Sequence, residues 1–435
     1  MLRVCYFLLV VIMLQGCVEA INNHQKLPPG IYRAVLNLND PNIKNAAEEI
    51  NTQLNIVDPG LLPFNFEVVY EEGSNEDFKI VLHNADERLV VDDIRYGKDR
   101  ATNRDTILIR FPIYDTYIKA IYNENVLEGQ WVVNYRDNYS IPFVAYHGQD
   151  HRFTDLTKPN TYDISGRWKC TFTEPDGAED ITIGNFIQKG NSVTGTFKTE
   201  TGDYRFLEGD IIDNKFYLSV FDGSHAFLFE GKILDDNKLI GSFKSGTHYQ
   251  VTWEGVRDDD FQLADPYKLT SLKGDSEVVD FSFPDLNNQM VSLSDTKYDG
   301  KIKIVKIMGT WCPNCMDATN FLLEYLKENK PEDVVVIALA FERYRDDSKA
   351  IAAIKTYQKR KSIPFDILYG GYFDKGESTS KLPFLDEIIS YPTLLFIDKQ
   401  NKLRKVHTGF SGPATDKYEE FKEGFENIIA ELQAE

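Results

Sequence analysis

The hydrophobic pattern of this chain changes period near residue 278, so no single regular architecture accommodates all of it. From Ile31 to about Val256, segments such as FNFEVVYEE, FKIVLH and KFYLSVF are rich in β-branched and aromatic residues and are separated by Asn, Asp and Gly turns. That is the pattern of short strands. In SGRWKCTF, Trp168, Cys170 and Phe172 share one face and Lys169, Thr171 and Thr173 the other. Helical spacing is scarce in this region, with NAAEEINTQL a weak candidate. Glu-Gly recurs at 128–129, 208–209, 230–231 and 254–255, at irregular intervals that indicate shared strand-end chemistry and not a repeat. Many short strands in succession imply a sandwich or a barrel.

Beyond residue 278 strands alternate with helices. KIKIVKIM reads as a strand, and MDATNFLLEYLKEN places Ala318, Phe321, Leu322 and Tyr325 on one helical face. DVVVIALAF is a continuous apolar run of the kind buried in a parallel sheet. DDSKAIAAIKTYQKRK is helical, YPTLLFID and KLRKVHTGF are strands around a KQN turn, and KYEEFKEGFENIIAELQ closes the chain as a helix. The expected organisation is multidomain, an N-terminal all-β (sandwich/barrel-like) region followed by a C-terminal α/β domain. β-rich units are expected over 30–157 and 158–257, a charged, turn-rich linker over 258–277, and the α/β domain over 278–435. The formal net charge of −20 and the absence of a Lys/Arg run argue for solubility and against a nucleic-acid surface.

The first residues are expected to be a signal. Arg3 precedes an apolar run from Val4 to Leu14, too short to span a bilayer. The run ends in Leu14-Gln15-Gly16-Cys17, which resembles the bacterial lipobox. That resemblance implies a signal peptide over 1–16, lipidation of Cys17, a tether over 17–29, and a lipid-anchored protein facing the periplasm. Val18-Glu19-Ala20 offers a rival cleavage site that would free the protein. In either case Cys5 leaves with the signal. Of the five cysteines, Cys170, Cys312 and Cys315 then remain, too few for a disulfide-stapled scaffold. Cys170, alternating with Trp168 and Phe172, is expected to be a buried thiol.

Cys312 and Cys315, in GTWCPNCMD, sit where the strand KIKIVKIM hands over to a helix. A C-x-x-C pair holds a metal, locks a loop or cycles between dithiol and disulfide. Zinc would require two further ligands, with His407 the only attractive helper, and a static disulfide closing so short a loop gains little. At a helix N-terminus the unpaired N–H groups favour a Cys312 thiolate, and Pro313 suits the first helical position. Cys312 is then the nucleophile and Cys315, one turn on, the resolving thiol of a Cys312–Cys315 redox disulfide.

These residues, a preceding hairpin in FSFPDLNNQMVSL, and SYPTLLFID downstream resemble the TlpA/ResA-like thiol-disulfide oxidoreductases of thioredoxin fold. The β-rich N-terminal region is similar, more loosely, to domains that precede such modules in bacterial lipoproteins. The resemblance implies that Pro392 is a cis-proline facing the cysteines and receiving a partner's extended backbone. It places Tyr391 beside the thiols, Gly409 near the same groove, and Trp311 and Asn314 around the exposed thiol. It also implies protein thiols and disulfides of the cell envelope as substrates, reduction as the direction, and an upstream membrane thiol-disulfide donor. No cofactor or metal is expected, since no dinucleotide fingerprint occurs. Two positions depart from the family pattern. Ala318 stands where many relatives carry Glu, and Lys306 replaces the buried acid six residues before the first cysteine. Lys306 and Glu342 are candidate modulators of the thiol pKa: Lys306 either stabilises the Cys312 thiolate or pairs with Glu342 on the next strand. Two alternatives are a binding or scaffolding lipoprotein and a thiol peroxidase. The P-x-x-x-[ST]-x-x-C peroxidase pattern is missing, with Val305 and Gly309 at its first two positions.

Overall fold

The computed structural model describes residues 26–39, 57–155, 160–274 and 277–435. Cys17, the signal-like segment and the helical candidate at 45–54 lie outside them. The N-terminal region is all β. Nine antiparallel strands run from Gly30 to His147, and the first of them, Gly30–Asn37, pairs with both Leu61–Tyr70 and Ser140–His147. The next eight strands close into a barrel, because Gly166–Thr173 pairs with both Glu179–Lys189 and Tyr249–Arg257. Closure leaves no open edge. The alternation read in SGRWKCTF holds, with Trp168, Cys170 and Phe172 inside the barrel beside Phe186, Phe197, Phe216, Phe229 and Phe243.

The sheet and the barrel share a core. Phe221 leaves the barrel wall to pack 4.4 Å from the Phe64 ring, with Phe111 and Trp131 edge-on to it. The polar counterpart is Arg152, almost wholly buried between them. Its guanidinium donates to the His83 carbonyl at 2.9 Å, Asn84 Oδ1 at 3.3 Å, and Ser219 Oγ and carbonyl at 3.0 and 2.9 Å.

The C-terminal region is α/β. Its sheet order is Asp366–Tyr372, Val334–Glu342, Ile302–Met308, Thr393–Ile397, Leu403–Thr408, with the first three strands parallel to one another, Thr393–Ile397 antiparallel to them, and Leu403–Thr408 antiparallel in turn to Thr393–Ile397. Ile302–Met308 is central and buried at every residue, the condition of a strand covered on both faces. Helices Pro313–Asn329, Asp347–Lys361 and Tyr418–Ala434 flank the sheet. The buried face of the first carries Ala318, Phe321, Leu322 and Tyr325, and Phe321 and Tyr325 meet Phe425 of the last helix edge-on. Strand Asp366–Tyr372 is absent from the sequence reading. Its GG pair breaks the periodicity, and the register shifts where Gly370 lies against the Phe341 ring.

Replacing Arg152 with Met should remove the guanidinium donor from the buried carbonyls of His83 and Ser219 and leave Asn84 Oδ1 only the Phe221 N–H. A loss of about 3 kcal/mol is expected, measured as a lower urea midpoint. A change below about 0.5 kcal/mol, the size of an ordinary surface substitution, would contradict the bridging role.

Candidate active site

The central strand ends at Met308, and four residues later the chain enters the helix Pro313–Asn329. Cys312 is the N-cap, in extended conformation, and its Sγ accepts the backbone N–H of Cys315 at 3.1 Å. A sulfur here takes the place of a capping oxygen. Pro313 occupies the first turn, where its missing N–H costs nothing. The cysteines are free thiols. They are unequally placed: Cys312 retains 8% exposure and Cys315 none. Burial pushes the Cys312 thiol up, but the side-chain and backbone hydrogen bonds from Cys315, with the charges of Lys306 and Arg343, bring it below the ordinary thiol value. Cys315 is pushed well above it by burial, by its bond to Cys312 and by that neighbour's charge.

The Tyr391–Pro392 peptide is cis, and the Tyr391 carbonyl lies 3.4 Å from Cys312 Sγ. The Tyr391 hydroxyl lies 3.0 Å from the Phe373 carbonyl, to which it can donate, and 2.9 Å from Ser378 Oγ. Trp311 stands edge-on to Tyr391 and Phe373, donates from Nε1 to the Phe341 carbonyl at 3.0 Å, and carries the Arg343 guanidinium 4.5 Å above its ring. The Gly409 N–H donates to the Pro392 carbonyl at 2.9 Å. Gly409 has φ +78°, and a Cβ there would come within 2.8 Å of the Thr201 backbone, so glycine is required twice over.

Lys306 and Glu342 are both buried, but they do not pair. Lys306 Nζ donates to the Cys315 carbonyl at 2.8 Å and to Thr319 Oγ1. Glu342 accepts from the backbone N–H and hydroxyl of Thr310 at 2.9 and 2.8 Å, and burial raises it to about 7. The two side chains thus serve different segments, the helix start and the loop before it. His407 is buried, with Nδ1 3.2 Å from the Gly409 carbonyl, and burial lowers it to about 4. Among the described residues no cluster of three metal-ligating side chains occurs. Cys170 is enclosed in the barrel, where burial pushes its thiol to about 12.

Sequence reasoning missed a second set of residues around the thiols, all contributed by the barrel. Loop 199–205 lies across the groove: the Thr201 carbonyl accepts from Ser390 Oγ at 3.2 Å, and the Asp203 carbonyl from Asn314 Nδ2 at 3.4 Å. From a neighbouring loop, Ser224 Oγ donates to the Trp311 carbonyl at 3.5 Å. Arg205 fastens this cover. It is ion-paired with Asp317 on the cysteine helix, with Glu87 of the nine-stranded sheet at 2.6 Å, and with Asp222 at 3.6 Å. Burial raises Asp317 to about 7, with Asp203 and Glu87 adding to the rise against the pull of Arg205. Asp317 therefore faces the barrel, while Ala318 faces the core beside it. Arg205 lies 112 residues from Asp317 and 118 from Glu87, so these two pairs leave no local signal. The one trace is the alternation of charge in GDYRF.

The AhpC/TSA family matches residues 275–406. An uncharacterized protein of Haemophilus influenzae is 28% identical over 137 residues, 32% of this chain and 81% of its own. The thiol-disulfide oxidoreductases ResA of Bacillus thuringiensis and Bacillus cereus are 28% identical over 127 residues, 29% of this chain. The chain spans 65% of the length of those ResA proteins. Among solved structures, a putative thiol:disulfide interchange protein DsbE from Chlorobium tepidum is 21% identical, covering 37% of this chain and 99% of its own at a TM-score of 0.29. StoA from Bacillus subtilis is 16% identical, covering 33% and 95% at 0.25.

Replacing Arg205 with Met would strand Asp317, Glu87 and Asp222 without their cation, a loss of about 3 kcal/mol or more when one partner of a buried pair is removed. The cover should loosen, and alkylation of Cys312 by iodoacetamide at pH 7 should accelerate about tenfold or more. An unchanged rate would contradict the fastening role. The C-terminal region has a thioredoxin-like α/β fold, matches the AhpC/TSA family over residues 275–406, and is preceded by an all-β region.

Proposed function

We propose that this chain is a thiol-disulfide oxidoreductase that reduces disulfides of exported proteins through Cys312 and Cys315. The observation that carries the reading is the asymmetry of the pair. One thiol is an N-cap with a stabilised thiolate, and the other is buried one turn below it. The Cys312 thiolate attacks a client disulfide, forming one S–S bond and releasing the first client thiolate, which takes a proton. Cys315 then loses its proton and attacks Cys312 Sγ. The Cys312–Cys315 bond forms, the mixed disulfide breaks, and the second client thiolate leaves and is protonated. Two electrons and two protons pass to the client, and an upstream thiol-disulfide donor restores the dithiol.

The groove beside Pro392 and Gly409 is the place for the client's extended backbone, with Trp311 and Tyr391 as its apolar wall. The same groove is where loop 199–205 lies, so a client displaces or follows that loop. The lipobox-like segment supports an envelope location with Cys17 as the anchor and the β units, 30–157 and 158–257, between anchor and catalyst. The thiol peroxidase alternative lacks its motif, and Thr310, two residues before Cys312, donates its hydroxyl to Glu342.

In an insulin reduction assay with dithiothreitol, the protein should shorten the lag before precipitation, and Cys312→Ser should return it to the reagent-only curve. Equal curves for the two proteins would favour the binding or scaffolding reading, in which the C-terminal domain only docks.

A further inference from the structure

Cys315 must become a thiolate to resolve the mixed disulfide, yet it sits where water does not reach. A carboxylate at such a place acts as a proton acceptor. This chain has an amine there instead. Lys306 lies on the central strand, fully buried, and reaches the first turn of the cysteine helix, where Nζ donates to the Cys315 carbonyl at 2.8 Å. Its other partner, Thr319 Oγ1, bonds to the Cys315 carbonyl at 2.9 Å and to the Tyr357 hydroxyl at 2.5 Å. All of these partners are neutral. Among the described residues no carboxylate lies within ion-pair distance of Nζ: Glu342 is engaged with Thr310, and Asp317 with Arg205. A buried ammonium without a counter-ion is costly for the fold. Nζ is bonded to the carbonyl of Cys315 itself, and the charges on Cys315 and Cys312 are the leading influences that favour its protonated form.

We infer that Lys306 is a positioning residue for the resolving step, its ammonium serving as counter-ion to the Cys315 thiolate when that sulfur attacks the mixed disulfide. This rests on the dithiol cycle proposed above. The balance is simple. Before resolution the pocket holds Lys306 as a cation and Cys315 as a thiol. The thiol proton leaves to solvent or to the departing client sulfur, and the pocket passes through a neutral ammonium–thiolate pair. It returns to a lone cation once the Cys312–Cys315 bond forms. Burial pushes Lys306 down to about 8, so the cation is the major form at neutral pH and is lost in alkali. The other titratable and charged groups facing this pocket are Cys312, Asp317, Tyr357, Glu342, Arg343 and Tyr391.

The test is stopped-flow reaction of the reduced full chain, with Cys5 and Cys17 replaced by Ser and Cys170 enclosed in the barrel, with 4,4′-dithiodipyridine, which releases one thiopyridone on attack by Cys312 and a second when Cys315 resolves. Lys306→Met is compared with wild type over pH 6–10. An opposite charge moves a thiol by about 1–3 pH units, so the second phase should slow about thirtyfold at pH 7 and recover tenfold per pH unit in alkali. The first phase should change less than the second. Because Met removes an uncompensated buried charge, the variant should be at least as resistant to urea as wild type. A slower second phase together with a lowered urea midpoint would mark a structural role and overturn the inference. So would equal second phases in the two proteins, or an unaltered pH profile. Release of only one thiopyridone by wild type would instead overturn the dithiol cycle itself.

Discussion

The arrangement depends on where the central strand stops. Ile302–Met308 is buried throughout and holds its register by pairing with Val334–Glu342 and Thr393–Ile397. The loop after it therefore emerges at one fixed place, against the cis Tyr391–Pro392 bond. The helix that follows must begin there, and its unpaired N–H groups need an acceptor. Cys312 Sγ is that acceptor. One hydrogen bond thus caps a helix, lowers a thiol and points the sulfur at the groove. Cys315 is carried beneath it by the helical turn.

The β region is engaged with this site and does not stand apart from it. Phe221 belongs to the barrel by sequence and to the core of the nine-stranded sheet by packing. Arg205 belongs to the barrel and is bonded to both neighbours. A cation with three acidic partners costs more to unpair than a surface ion pair. The contacts that hold loop 199–205 over the cysteines are accordingly among the better buried polar contacts of the chain. In this structure the barrel loop 199–205 lies over the groove beside the thiols.

The parts of this structure that were legible in the sequence are those encoded by neighbours. Alternation in SGRWKCTF put Trp168, Cys170 and Phe172 inside a β-structure, and the strand-to-helix switch around GTWCPNCMD placed the thiols at a helix start. Whether the second β block is a sandwich or a barrel was not legible, because closure is decided by one pairing between its first and last strands. The strand at 366–372 was hidden by its glycines. Of the two readings of Lys306, thiol modulation or pairing with Glu342 on the next strand, the pairing rested on strand proximity alone and does not occur. Register puts Lys306 opposite Ala338, and its long side chain turns to the helix instead. Arg205 and its acids were illegible for the same reason: three segments far apart in sequence meet only after each has folded.

The most direct measurement is the equilibrium of the Cys312–Cys315 pair with defined thiol buffers, read as mass shift after alkylation. A single two-electron transition is expected, in which both thiols disappear together, with a midpoint near the value of about −270 mV typical of reducing thioredoxins. A midpoint near about −120 mV would reverse the direction of transfer. Two thiols that alkylate independently at every buffer ratio, or a pair that never equilibrates, would contradict the redox cycle on which the account rests.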